Sequence, residues 1–282
     1  MKLKRILLFA IAACSFAYTT QAQDFQGKVV YMSKTKVDFD FGGRKIPEDA
    51  KARMLKRMKD FSEKTYELSF NKTESIYQEE EKLAGPGEST RGRMFASVFG
   101  GALTGEYYKN TASKESKRAV EFFGKNFLIE EKLEDFNWKL EKETKQIGKY
   151  TCFKASTFIK TVKKTMGPPP EKGEEKPKEE KEEMVLVTVW YTPMIPVSMG
   201  PDKYWGLPGL ILGVNAGDTQ IICTKVVMNV NDKKELKAPK KGKKISDEDF
   251  QKIVQEKTAE LRERFRKGGG RSGGGRPGGP RR

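Results

Sequence analysis

Residues Trp190 to Val214 read WYTPMIPVSMGPDKYWGLPGLILGV, and no other stretch limits the fold of this chain so tightly. Pro193 and Pro196 fix their own φ and push the residues before them into extended conformations, and Pro201 and Pro208 do the same to Gly200 and Leu207. Gly206 and Gly209 admit turns or close backbone approach where a side chain would collide. A segment specified this closely is neither a regular strand nor a helix. It reads as a shaped crossover that delivers Leu210, Ile211 and Leu212 into the next strand. Its aromatic residues Trp190, Tyr191, Tyr204 and Trp205 have two readings, as the lining of a ligand groove or as wedges that seat the crossover on a sheet. Aromatic bulk serves core packing first.

The segments around it carry strand periodicity. Gln26 to Met32 reads as a first strand. Tyr66, Leu68 and Phe70 alternate with polar residues, Asn71-Lys72 supplies a turn, and Ser75-Ile76-Tyr77 begins the return strand of a hairpin. Short strands are expected around 106–109, 127–131 and 138–140, and long ones over 149–159, 184–191 and 218–230. Two helices are expected. Pro47, Glu48 and Asp49 suit the N-terminus of the first, over 47–61, whose Met54, Leu55, Met58 and Phe61 share one face; the methionines read as core rather than as a soft-metal site. Ser246 with Asp249 resembles a capping box at the start of the second, with Phe250, Ile253, Val254, Leu261 and Phe265 near one side. The expected fold is β-rich α+β: a strongly curved antiparallel sheet, at its extreme a half-barrel, with one or two packed helices.

Composition divides the chain. Lys2, Lys4 and Arg5 precede the apolar run Ile6 to Ala13, so residues 1–22 are expected to be a secretory signal peptide. That run is shorter than the ~20 residues that cross a bilayer, and no later stretch approaches this length, so the chain is not expected to span a membrane. Cys14 follows Ile11-Ala12-Ala13, the pattern of a lipoprotein cleavage box; the short signal and the continuing apolar Phe16 and Ala17 argue against that alternative. Residues 23–230 are expected to form the β-rich domain. Inside it, 167–183 reads GPPPEKGEEKPKEEKEE, which cannot build a core and is expected to be a disordered insertion. Residues 84–105, with Met94-Phe95 and Val98-Phe99 among Gly, Ser and Arg, read as a loop. Residues 231–266 are a basic linker and the C-terminal helix, and 267–282 a Gly/Arg tail.

The chain has no histidine, which removes Ser-His-Asp and Cys-His catalysis and the commonest transition-metal ligand together. Ser198 and Lys203 lie close in sequence, but proximity in a proline-rich loop is thin support for a nucleophile pair. No catalytic, metal or cofactor site is expected. Beyond the signal, Cys152 and Cys223 read either as a disulfide or as two buried thiols on separate strands. A formal charge of +16 favours anionic surfaces, met chiefly through the basic tail. Nucleic acid is not an expected partner of an exported chain.

Trp138-Lys139-Leu140, Ile147 to Cys152, Lys154-Ala155, Trp190-Tyr191, Pro193, Ile195-Pro196, Gly200-Pro201, Tyr204 and the hexapeptide Gly206 to Ile211 follow one another in an order that resembles the GLPGLI family of exported bacterial envelope proteins. That family has no established reaction. The resemblance implies a place in the periplasm or on the periplasmic face of the outer membrane. The first functional expectation is a non-enzymatic binding or carrier protein for an apolar ligand, since a curved sheet under a helix is a natural container. The second is an accessory partner of an outer-membrane transporter or other envelope machinery. A histidine-independent hydrolase is the third.

Overall fold

The computed structural model of the chain describes residues 25–36, 47–49, 52, 62–80, 105–162, 182–230 and 236–268. The strands are β1 (Gly27–Thr35), β2 (Glu63–Phe70), β3 (Glu74–Glu79), β4 (Gly105–Asn110), β5 (Glu115–Phe122), β6 (Lys125–Lys132), β7 (Lys139–Ile147), β8 (Tyr150–Val162), β9 (Glu182–Thr192), β10 (Leu210–Ala216), β11 (Thr219–Met228) and β12 (Lys243–Ile245), followed by helix α1 (Asp247–Gly268). They form one open, curved sheet in the order β12-β6-β5-β4-β3-β2-β1-β11-β10-β9-β8-β7. Neighbours are antiparallel except β12, which runs parallel to β6. The sheet does not close into a barrel. Its centre is β1, where Gly27 lies opposite both Phe70 of β2 and Met228 of β11.

Local chemistry sets the turns. The Asn71 side chain accepts from the N–H groups of Thr73 at 2.9 Å and Glu74 at 2.7 Å, an Asx turn that reverses β2 into β3. Phe123 and Gly124 take φ values of 53° and 72°, as a two-residue hairpin between β5 and β6 requires.

Two apolar cores result. The larger joins Val29, Tyr31, Leu68 and Phe70 to Val187, Val189 and Tyr191, and is filled by Ile195, Val197, Met199 and Leu207 of the crossover. Strand β10 is buried from Leu210 to Val214, which explains why its sequence is apolar without alternation. The smaller core gathers Val120, Phe122, Phe127 and Ile129 under Phe250 of α1, with Ile253, Val254 and Leu261 packed beside it. Ser246 caps this helix by accepting the Asp249 N–H at 3.2 Å, and Asp247 pairs with Arg118 of β5.

The structure revises several expectations. Strand β5 was not anticipated. The short strand expected near 138–140 is the start of a nine-residue β7, and the basic linker contains β12. One long helix is seen among the described residues, and it packs against β6. The expected helix 47–61 falls almost wholly outside them, as do the signal segment, Cys14, the 84–105 loop apart from Gly105, the insertion short of Glu182, and the tail beyond Gly268.

Candidate functional site

The crossover between β9 and β10 is fastened from three directions. Lys109 of β4 is fully buried, and its Nζ donates to the carbonyl oxygens of Gly200 at 2.6 Å, Asp202 at 2.5 Å and Tyr204 at 3.2 Å. Burial pushes its pKa down to about 7, partly opposed by the charge of Asp202. From β1, the Tyr31 hydroxyl donates to the Ile211 carbonyl at 2.6 Å, where the β9–β10 ladder shifts register. From the segment before β7, Trp138 Nε1 donates to the Trp205 carbonyl at 2.8 Å, while Trp205 Nε1 donates to the Glu134 carbonyl at 2.8 Å.

The backbone needs its glycines for two different reasons. Gly206 has φ of 95°, which favours glycine. Gly209 has no such φ. A Cβ there would lie 2.3 Å from the Thr192 carbonyl oxygen, so close approach to β9 and not turn conformation excludes a side chain.

Tyr191, Tyr204 and Trp205 are buried. Trp190 is half-buried, with Lys145 Nζ 5.1 Å from its ring centroid. Ser198 Oγ accepts the Gly206 N–H at 3.1 Å and so braces the loop. Pro193, Met194, Pro196 and Pro208 are exposed while Pro201 is buried, and Ile195, Val197, Met199 and Leu207 join the core. Cys152 and Cys223 are free thiols. Strands β9 and β10 lie between theirs in the sheet. Among the described residues no group of three His, Cys, Asp or Glu side chains could hold a metal ion. No helix among them is long and apolar enough to cross a membrane.

The accessible feature lies at the other end of the β8–β9 hairpin. Strand β7 pairs with β8 only from Ile147↔Tyr150 to Lys139↔Ser156, whereas β9 follows β8 to Val162. Beyond Ser156, β8 therefore has β9 on one side and, among the described residues, no strand on the other. A groove of about 540 Å³ runs along that side, with Phe136, Lys139, Phe158, Ile159, Lys160 and Lys203 among its lining. Its far wall, residues 134–138, is held firmly. Trp205 binds the Glu134 carbonyl, Asp135 pairs with Lys114 at 2.7 Å, and the Phe136 ring lies 5.8 Å from that of Tyr204. The crossover thus supports the groove from beneath. Beside it, Phe158 is 63% exposed, Leu186 50% and Met184 56%, and the pairing Phe158↔Leu186 places all three on one face.

Sequence reasoning missed Lys109 and this apolar trio. The trio had a faint signal, since Phe158 and Ile159 adjoin in a strand where only one of them can face the core.

Residues 138–213 match a family described as "Protein of unknown function (Porph_ging)". The match runs from Trp138, which ties down the crossover, to the glycine opposite Trp190, so it takes in the block on which the hexapeptide resemblance rests. No curated protein matches the chain. Two solved structures, both described as PNGF-II, one in space group C2 and one in P21, are similar at 13% identity, with TM-scores of 0.47 and 0.48. Each alignment covers 82% of this chain and 33% of the solved chain, so this chain spans about a third of their length.

Proposed function

We propose that this protein is a non-catalytic, exported binding protein that engages another protein of the cell envelope at the groove along β8. The observation that carries the reading is the trio Phe158, Leu186 and Met184: large apolar side chains, at least half exposed, on one face beside a firmly walled groove. Contiguous apolar surface of this kind marks interaction sites. The resemblance to GLPGLI proteins, the expected signal peptide and the basic charge support a periplasmic setting. A half-barrel carrier enclosing an apolar ligand has less support, because Ile195, Val197, Met199 and Leu207 of the crossover occupy the interior. The hydrolase reading has less still, because Ser198 Oγ is engaged with the loop backbone.

A photo-crosslinking amino acid placed at Leu186, and separately at the exposed Lys72 in the β2–β3 turn as a control, tests this in living cells. One discrete protein adduct from position 186 and none from position 72 is expected. No adduct at 186, together with a lipid retained in native mass spectrometry, would return the carrier reading to first place.

A further inference from the structure

The geometry points to strand addition as the way this groove is filled: an extended apolar and acidic segment of the partner protein pairs main chain to main chain with β8 beyond Ser156. The inference rests on the proposed binding function and specifies its mode.

In an antiparallel ladder, successive residues direct their N–H and C=O groups to opposite sides. Strand β8 continues over 157–162 with β9 on one side, so alternate residues there turn main-chain groups toward the groove. An incoming strand pairs with such groups in register.

The two outermost strands of the sheet are guarded. Strand β7 reads KLEKETKQI, is exposed along most of its length, and has a register irregularity between Leu140 and Thr144. Charge and bulges of this sort discourage pairing. Strand β12 has three residues and leads straight into α1. By contrast, Thr157-Phe158-Ile159 combines two β-branched residues with an aromatic one and has no charge, proline or glycine. An edge of that composition aggregates unless something is meant to lie on it.

The surroundings define the incoming side chains. On one face they meet Phe158 and, through β9, Leu186; on the other they meet Ile159 and Phe136. Lys139 and Lys203 line the groove, and of its two lining carboxylates, Glu134 and Asp135, the second is paired with Lys114. Glu134 is the remaining lining carboxylate. The balance of charge calls for acidic residues between the apolar ones.

The test uses the full chain and three synthetic peptides: alternating valine and glutamate, alternating valine and lysine, and the glutamate peptide N-methylated at alternate positions. Binding is read by fluorescence anisotropy, and amide protection over 157–161 by hydrogen exchange. The glutamate peptide is expected to bind and to protect those amides, with the other two weaker by roughly tenfold or more, the cost of one or two interactions. A paired Lys139→Glu and Lys203→Glu variant is expected to reverse the charge preference. Equal binding by the N-methylated peptide would overturn strand addition and leave side-chain docking, provided the crosslink from position 186 persists. A dimer of this chain that dissociates in Phe158→Ser would overturn it in favour of a second copy. So would the absence of protection with every peptide.

Discussion

Lys109 donates from its ammonium to the carbonyl of Gly200 at 2.6 Å, and through this bond a strand from one half of the sheet grips the loop of the other half. Ser75 and Ser116 stand directly opposite Lys109 on its two neighbouring strands, both buried and both small, which leaves room for the lysine stem. Three carbonyls of the crossover converge on its Nζ.

Replacing Lys109 by Met should therefore cost about 2–4 kcal/mol in urea unfolding, since three carbonyl acceptors, two of them buried, lose their donor at once. The penalty should depend on pH in a defined direction. Folding lowers this pKa from 10.5 to about 7, so between those values the unfolded chain holds the extra proton. Wild-type stability then rises with pH across that window relative to the Met variant, and below pH 7 the difference is flat. A penalty that shrank between pH 7 and 10 would contradict this account.

Gly209→Ala should destabilise the protein by roughly 1–3 kcal/mol, because even a methyl group meets the main chain of Thr192 and Pro193. The collision occurs at the first side-chain carbon, so the effect does not require a β-branched residue. Thermal unfolding of the Ala and Val variants side by side decides the point. A silent Ala variant would mean that the approach of β9 is relaxed at no cost.

Alkaline unfolding should begin above pH 10. Burial raises the pKa values of Tyr31, Tyr66, Tyr77 and Tyr204, and lifts Tyr107 to about 12. Each folded value exceeds the unfolded one near 10, so the contribution is complete below pH 10 and disappears as pH climbs through the folded values. Absorbance at the tyrosinate band and far-ultraviolet circular dichroism should change together. Ionisation of these residues near pH 10 with the fold intact would show that their hydroxyls reach solvent.

Cys152 and Cys223 should each react with an alkylating reagent in urea without prior reduction. In the folded protein at pH 8 both should be slow, since burial pushes each thiol up to about 11. Intact mass before and after denaturation counts the adducts. Protection that persists in urea and disappears with reductant would establish a disulfide.

Much of the fold can be read from residue order where periodicity meets burial. The β2–β3 hairpin, the apolar β10 and the capped helix α1 have one-sided or fully apolar patterns that burial imposes. Beyond Leu140, strand β7 left no such trace because nearly all its side chains face water, so its charged residues match a linker equally well. Strand β12 is too short for a pattern and exists through its parallel pairing with β6. The aromatic residues of the crossover were visible, but their role depended on where the indole N–H groups found acceptors. Lys109 was hidden for a related reason. A lysine in a strand reads as solvent-facing until the register shows serines on both sides and carbonyls ahead. The open edge of β8 depends on where β7 stops, which no local pattern encodes.

The central place of β1 bears on the time course of folding. Thr224 donates to the carbonyl of Val30 across 194 residues of sequence, so the strand in the middle of the sheet is completed by one of the last to be made. Until β11 arrives, β1 presents a bare apolar margin and the two halves are separate ribbons. Closing so long a loop is slow, and the waiting intermediate is prone to pair with its own kind. A cell making this protein must therefore keep the early strands apart from one another for as long as the chain is incomplete.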